Sequence, residues 1–286
     1  MRIYILGING MLGSELFIRF NENTKIFTKG TVRKSYVKNF KKFRDKIDCN
    51  ISAYDTKKIE SKIKKFRPNF VINCIGFVKQ KIKKTTKPSD IFYINSIFPR
   101  EIYKITKSLN INLIHFSTDC VFDGKLGNYN EKCFPNATDL YGLSKYLGEL
   151  RGNKVITLRT SIIGHELLTR HGLLEWFLAR KKCKGYANSF FSGLTTFEIF
   201  NFIKKYINIK NRNIFGIYNL SSHKISKYSL LKKIAKIYKK KILIKKDTKI
   251  LLNRTLDSSL IKKKLLYLPP NWERMINEMY KNRTNS

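Results

Sequence analysis

Apolar residues in this chain fall into short runs separated by amphipathic segments, and the two patterns alternate through the first half. Residues 2 to 6 form an apolar run that stops at Gly7, and Ser14 to Phe20 then follows helical spacing. A second strand is expected over Lys25 to Thr28 and a third at Ile47 and Asp48. Phe70 to Gly76 is a β-branched run of the kind that is buried on both faces, and Asn112 to Phe116 reads as a further strand. Helical segments at Asp55 to Phe66 and Ile94 to Leu109 lie between them. A β-α-β-α series of this kind predicts an α/β fold, a doubly wound parallel sheet with its sites at the carboxyl ends of the strands.

From about residue 165 the pattern changes. Gly172 to Leu178 is amphipathic, Ser192 to Thr196 is polar, Gly216 to Ser221 fits a strand that returns to the sheet, and Ile225 to Lys240 fits a basic amphipathic helix. The expected division is a dinucleotide-binding Rossmann core over 1–165. Residues 166–286 are then mainly a smaller substrate lobe, with a returning strand and helix near 214–240. At 286 residues, without a Pro, Gly or Ser linker, the chain is long enough for one large domain with such an appendage.

The formal net charge is +38, from 58 Lys and Arg against 20 Asp and Glu. The cations are spread along the whole length, with Ile and Asn also abundant, a distribution that argues against a dedicated nucleic-acid arm and still favours anionic substrates. The runs Lys79 to Lys87 and Lys232 to Lys246 read as loops or solvated helix faces. Five cysteines without a CxxC pair or a metal-ligand spacing fit a reducing cytoplasm, and no metal is assigned. A strand that starts at residue 2 leaves no room for a signal peptide, and no apolar stretch approaches the roughly 20 residues of a membrane span. A soluble, cytoplasmic protein is expected.

The turn Gly7-Ile8-Asn9-Gly10-Met11-Leu12-Gly13 stands between the first strand and the first helix. Glycines there allow close approach of a pyrophosphate, and the helix amino terminus offers it free N–H groups. Arg33 and Lys34 stand where NAD-selecting enzymes place an acid, so either they hold a 2′-phosphate, which favours NADP, or they are two more surface cations and NAD remains possible. Asp48, at the end of the third strand, is a candidate acceptor for an adenine amino group. Gly76 supplies the small residue needed beneath a cofactor. Ser117, Thr118 and Asp119 are delivered to the same edge. Tyr141 and Lys145, one helical turn apart, share a helix face, where an ammonium can lower a phenol's pKa and make it a proton donor near neutral pH.

These residues, together with Asn73-Cys74-Ile75-Gly76, Asn95 with Pro99, Ser117-Thr118-Asp119-Cys120-Val121-Phe122-Asp123-Gly124 and Tyr141-Gly142-Leu143-Ser144-Lys145-Tyr146-Leu147-Gly148-Glu149, resemble the extended short-chain dehydrogenase/reductases. Within these the chain is most similar to the dTDP-4-dehydrorhamnose reductase group. The resemblance is specific over residues 1 to 165 and looser beyond. It implies reduction, with NADPH, of the 4-keto group of a nucleotide-linked 6-deoxysugar. Tyr141 would protonate the nascent alkoxide, Lys145 would lower the tyrosine pKa and hold the nicotinamide ribose, and Thr118 would hydrogen-bond the keto oxygen, with Ser117 as the fallback. Cys74 and Asn95 fall to the cofactor, Ser117 and Asp119 to the substrate, and Arg254 becomes a candidate diphosphate clamp. A homodimer is compatible with the group. Glu15 stands at a plausible place for a metal-linked dimer contact, but it is assigned no metal.

The chain departs from the group's Arg-Thr-Ser-Trp strand, reading Arg159-Thr160-Ser161-Ile162, which opens the identity of the sugar. Arg159 reads as a buried structural arginine and His165 as a loop residue. Trp176 and Phe177 read as core before they read as base-stacking residues. Two alternatives stand beside the reductase: an epimerase or dehydratase on the same scaffold, and a non-catalytic NADP-binding protein. Asp119-Cys120, where a dehydratase places Asp-Glu, argues against the dehydratase. The complete set Thr118, Tyr141 and Lys145 argues against the binding protein.

Overall fold

The computed structural model describes residues 1–23, 25–36, 38–83, 85–209 and 213–283. Seven strands form one sheet: β1 (Arg2–Leu6), β2 (Phe27–Thr31), β3 (Ile47–Asp48), β4 (Phe70–Asn73), β5 (Asn112–Thr118), β6 (Val155–Thr160) and β7 (Gly216–Asn219). Their order is β7-β6-β5-β4-β1-β2-β3, and every pairing is parallel. The chain winds outward from β1 to β3, returns to β4 on the other side of β1, and winds out again to β7. The direction reverses between β1 and β4, and a crevice opens there at the carboxyl ends of the strands.

The helices are α1 (Met11–Glu22), α2 (Thr56–Phe66), α3 (Pro88–Phe92), α4 (Phe98–Ser108), α5 (Leu140–Leu147), α6 (Leu173–Leu178), α7 (Thr196–Ile207), α8 (Lys227–Ile237), α9 (Ser259–Leu265) and α10 (Trp272–Lys281). They cover both faces, which is why β1 and β4 are apolar at successive positions instead of alternating. Ile3, Ile5 and Ile72 enter the core beneath α1, α7 and α8. Tyr4, Leu6 and Val71 enter the one beneath α2 and α4.

Three expectations shift. β2 lies at Phe27–Thr31, later than Lys25 to Thr28, since it is Gly30 that packs closely on the Ile8 side chain and Phe17. The segment expected as one helix over Ile94 to Leu109 starts at Pro88 and contains a π-helical turn at Tyr93–Ile97 before α4. Pro99 has no N–H to give the Asn95 carbonyl, and Phe98 N–H reaches back to the Tyr93 oxygen. Residue 165 is also not a boundary in the core, which runs from Ile3 and Leu16 through Ile199, Leu230 and Met275. Phe20 on α1 meets Phe200 on α7 edge-on, with ring centroids 5.0 Å apart.

The remaining C-terminal residues build a small lobe over the crevice. Lys182–Tyr186 pairs in parallel with Leu243–Asp247, and Ser189–Phe191 pairs with Ile225–Ser226 and Leu252–Asn253. In the basic run 79–87, Lys79–Lys81 forms a 3-10 turn and Lys84 lies outside the described residues. No described helix is long and apolar enough to cross a membrane.

Candidate active site

Gly7 adopts φ +84°, a left-handed conformation that favours glycine, and its N–H donates to Thr31 Oγ1 at 3.1 Å. Gly10 caps α1 without a side-chain bond, leaving the first N–H groups of the helix open. A Cβ on Gly13 would overlap the Gly7 carbonyl, so helix and strand pack in direct contact. Asn9 Nδ2 donates to the Ser35 carbonyl at 3.0 Å, while its buried Oδ1 has no hydrogen-bond partner among the described residues. Gly7, Asn9, Gly10, Met11 and Leu12 line one end of a cleft of about 2200 Å³ that runs over the strand ends to the C-terminal lobe.

The outer rim of this end carries Arg33, Lys34 and Lys38, all exposed. Beside them Tyr54 stacks on Tyr93, with centroids 4.5 Å apart and an interplanar angle of 13°, and donates to Asp90 Oδ1 at 2.7 Å. Asp48 does not reach the cleft lining. Its Oδ2 accepts from Tyr4 OH at 2.8 Å and its Oδ1 pairs with Lys62 Nζ at 2.6 Å. The expected adenine contact is thus replaced by a structural one, because the carboxylate turns under the sheet towards α2.

Thr118 ends β5. Its Oγ1 accepts from Cys120 N at 3.2 Å and donates to Asp119 Oδ1 at 3.1 Å. Asp139 caps α5 by accepting from Gly142 N at 3.0 Å. Gly142 lies so close to the Cys120 carbonyl that a Cβ would overlap it, which seats the helix on the turn after β5. Tyr141 is thereby set beside Thr118 in the cleft lining, and Lys145, buried one turn on, donates from Nζ to the Phe116 carbonyl at 2.6 Å.

The electrostatics differ from the expectation of an acidified phenol. Burial, with Cys120, Asp119 and Asp139 adding to it, raises the Tyr141 pKa above its ordinary value, and only the neighbouring Thr118 hydroxyl opposes this. Lys145 does not offset the burial: its own ammonium is pushed down to about 8 by desolvation, against the opposing charge of Glu149. The resting site therefore holds a protonated phenol beside a lysine whose proton is labile near neutral pH.

Cys74 and Gly76 line the cleft between these two regions, and a Cβ on Gly76 would stand 3.4 Å from Asn95 Oδ1 and 3.9 Å from Lys145 Nζ. Asn95 itself is fully buried outside the cleft lining. It accepts from Phe77 N at 2.9 Å and donates to Ser144 Oγ at 3.0 Å, bracing the β4 loop against α5. Ser117 lines the cleft, but its hydroxyl is given to Glu149 Oε1 at 2.8 Å. Arg159, 1% exposed, completes this cluster with two 2.7 Å bonds to Glu149. His165 stands in its loop between Glu175 Oε1 at 2.7 Å and Tyr238 OH at 2.9 Å, away from the cleft.

On the lobe side Arg254 lines the cleft, with Nε donating to the Phe122 carbonyl at 3.0 Å and Nη1 3.4 Å from Cys120 Sγ. Lys227, the first residue of α8, joins it, and its pKa is lowered by burial and by the neighbouring Arg254 and Lys79, with Asp119 and Cys120 opposing. The sequence reading missed Lys227, a first-turn lysine with nothing local to separate it from its many neighbours. Phe177 enters the core, as read, and Trp176 is half-buried, packing on that core while it also lines the cleft, with the Arg180 guanidinium 5.6 Å from its ring centroid.

The sequence model of the RmlD substrate binding domain family matches residues 1–186. The chain belongs to this family. Among characterised relatives it is similar to methionine adenosyltransferase 2 subunit beta of Xenopus laevis, 26% identical over 149 residues, 52% of this chain and 41% of that protein. It is also similar to the probable low-salt glycan biosynthesis reductase Agl14 of Haloferax volcanii, 26% identical over 153 residues, 52% of this chain and 48% of that one. The aligned stretch spans less than half the length of these relatives. Among solved structures the fold is shared with dTDP-4-dehydrorhamnose reductase of Bacillus anthracis in complex with NADP, at a TM-score of 0.80 and 20% identity, covering 99% of both chains.

Proposed function

We propose that this RmlD-family chain reduces the 4-keto group of a nucleotide-linked 6-deoxysugar with NADPH, a step of deoxysugar and polysaccharide biosynthesis in the cytoplasm. The observation that carries the reading is the meeting of Thr118, Tyr141 and Lys145 at the floor of a cleft that has an open helix amino terminus at one end and a cationic lobe at the other.

The residues fit a dinucleotide. The left-handed Gly7, the open α1 terminus and the unpartnered Asn9 Oδ1 face one end of the cleft, and Gly76 leaves room above Lys145. Arg33 supplies a charge for a 2′-phosphate, and NAD is the weaker alternative. When bound, the nicotinamide supplies a hydride. The chain's own groups do the rest. Thr118 turns its hydroxyl proton from Asp119 to the keto oxygen, and Tyr141, protonated at rest, gives its proton to the oxygen as charge develops there. Lys145 holds the ribose and steadies the phenolate that remains. Arg254 and Lys227, with Lys79 nearby, supply positive charge for a diphosphate, and Trp176 offers the lobe an aromatic face. A homodimer is compatible with this reading, which calls for no dedicated nucleic-acid or membrane partner.

The likeness to an adenosyltransferase subunit favours a second reading, a non-catalytic subunit that binds the dinucleotide. The two are separated by incubating the chain with NADPH and dTDP- or UDP-linked 4-keto-6-deoxysugars while following the absorbance of the reduced nicotinamide. Oxidation supports the reductase. Tight NADPH binding with no oxidation of any such substrate supports the subunit.

A further inference from the structure

The catalytic helix does not end at its last turn but bends its chain back into the core. Gly148 caps α5 where a Cβ would overlap the Asn95 carbonyl, so only a glycine allows the chain to pass there and bury the next residue, Glu149. Glu149 is 8% exposed and stands four positions after Lys145. Its carboxylate is bound three times: Arg159 Nε and Nη2 reach it at 2.7 Å each, and Ser117 Oγ donates at 2.8 Å. Arg159 Nη1 is buried without a hydrogen-bond partner among the described residues, so Glu149 is the acceptor that holds the guanidinium.

This cluster touches the catalytic groups from behind. Ser117 lies between Phe116, whose carbonyl takes the Lys145 ammonium, and Thr118. Lys145 Nζ is held by the Phe116 carbonyl, and the titratable groups that act with it are Glu149 from its own segment, bound from behind by Arg159 on β6, and His115 on β5. The π-helical turn packed on α5 contributes the uncharged Asn95 and Ser96. Glu149 is the group whose charge favours the ammonium, while burial disfavours it. His115, buried with its pKa lowered by desolvation and by Lys145, is neutral and gives no counter-charge.

We propose that Glu149, clamped by Arg159 and Ser117, is a positioning residue for Lys145: it carries the counter-charge of the buried ammonium and fixes the strand end that bears the Phe116 carbonyl and Thr118. The proposal rests on the reading of Lys145 as catalytic, but its effect on the ammonium can be read without substrate or cofactor. Without that counter-charge a buried lysine loses its proton at lower pH.

The test is competitive labelling of the cofactor-free chain with acetic anhydride across pH, with acetylation at Lys145 read by mass spectrometry. The wild-type midpoint is expected near about 8. Glu149→Gln leaves Arg159 buried and unpaired, so it is accompanied by Glu149→Gln/Arg159→Met, which removes the pair as a neutral unit and preserves packing. The double variant is expected to label with a midpoint lower by roughly one pH unit. Where turnover is measurable, the alkaline limb of its kcat profile should move down by the same amount. A Lys145 midpoint unchanged or raised in the double variant overturns the proposal, whether or not the chain is a reductase.

Discussion

The Lys145 ammonium donates a 2.6 Å hydrogen bond to the Phe116 carbonyl, tying α5 to β5 two residues before Thr118. The lysine is thus anchored to the strand that ends in the Thr118 hydroxyl, and the Tyr141 phenol stays protonated through burial. A buried phenol with a raised pKa suits the reductive direction, in which a proton must be available at the developing alkoxide.

Tyr141→Phe removes that proton while keeping the ring. Turnover is expected to fall by about 10² to 10⁴ with NADPH affinity within a few-fold of wild type, as measured by steady-state kinetics and by quenching of NADPH fluorescence. A variant that keeps full activity would take the tyrosine out of its role.

The pKa of Lys145 drops from 10.5 to about 8 in the folded chain. Between those values the unfolded chain binds a proton that the folded chain has lost, so stability rises with pH across the window, and burial of the charge is most costly below about 8. Lys145→Met is expected to raise the melting temperature of the cofactor-free protein near pH 7, and this advantage should shrink as pH rises towards 10.5. A melting temperature lowered at both ends of the window contradicts this.

The first helix and the first strand are legible because glycines mark their contact. Gly13→Ala would press a methyl group into the Gly7 carbonyl. A loss of about 1–3 kcal/mol in urea unfolding is expected, together with weakened dinucleotide binding. An unchanged stability would show that α1 can slide away from the turn.

Arg33 is exposed at the cleft rim, where removing its guanidinium costs packing little. Arg33→Ala is expected to weaken NADPH binding by roughly tenfold or more, with NADH binding nearly unchanged. Equal losses for both cofactors would assign Arg33 to the pyrophosphate or to the surface, not to a 2′-phosphate.

Adjacent aromatics on α6 have different roles. Phe177 is fully buried and Trp176 lines the cleft. Phe177→Ala should cost about 3–5 kcal/mol of stability. Trp176→Ala, at a half-buried ring that packs on the core, should cost less stability than Phe177→Ala and raise KM for the sugar nucleotide more than it lowers kcat. The reverse ranking in thermal melts would place Trp176 in the core.

The sheet and α5 could be read from the sequence because their signals are local. Phe70 to Asn73 and Asn112 to Thr118 are apolar runs long enough to mark buried strands, and the Tyr141 to Lys145 spacing places both groups on one helix face. What could not be read is the direction in which a short polar side chain turns at a strand end. Asp48 turns beneath the sheet to Tyr4 and Lys62, Asn95 braces a loop, and Ser117 is taken by Glu149. Each choice is made by a partner at least 14 positions away in sequence, and no local period encodes it. Lys227 is brought to the cleft by the fold of the lobe, again without a local mark.

The most direct measurement is a turnover with NADPH carrying deuterium at the transferable C4 position of the nicotinamide and a nucleotide-linked 4-keto-6-deoxysugar, with the product analysed by mass spectrometry and NMR. The account predicts one equivalent of oxidised cofactor per product and deuterium on carbon 4 of the sugar. Sugar that keeps its keto group beside unoxidised, bound NADPH, or product without deuterium at that carbon, would contradict it.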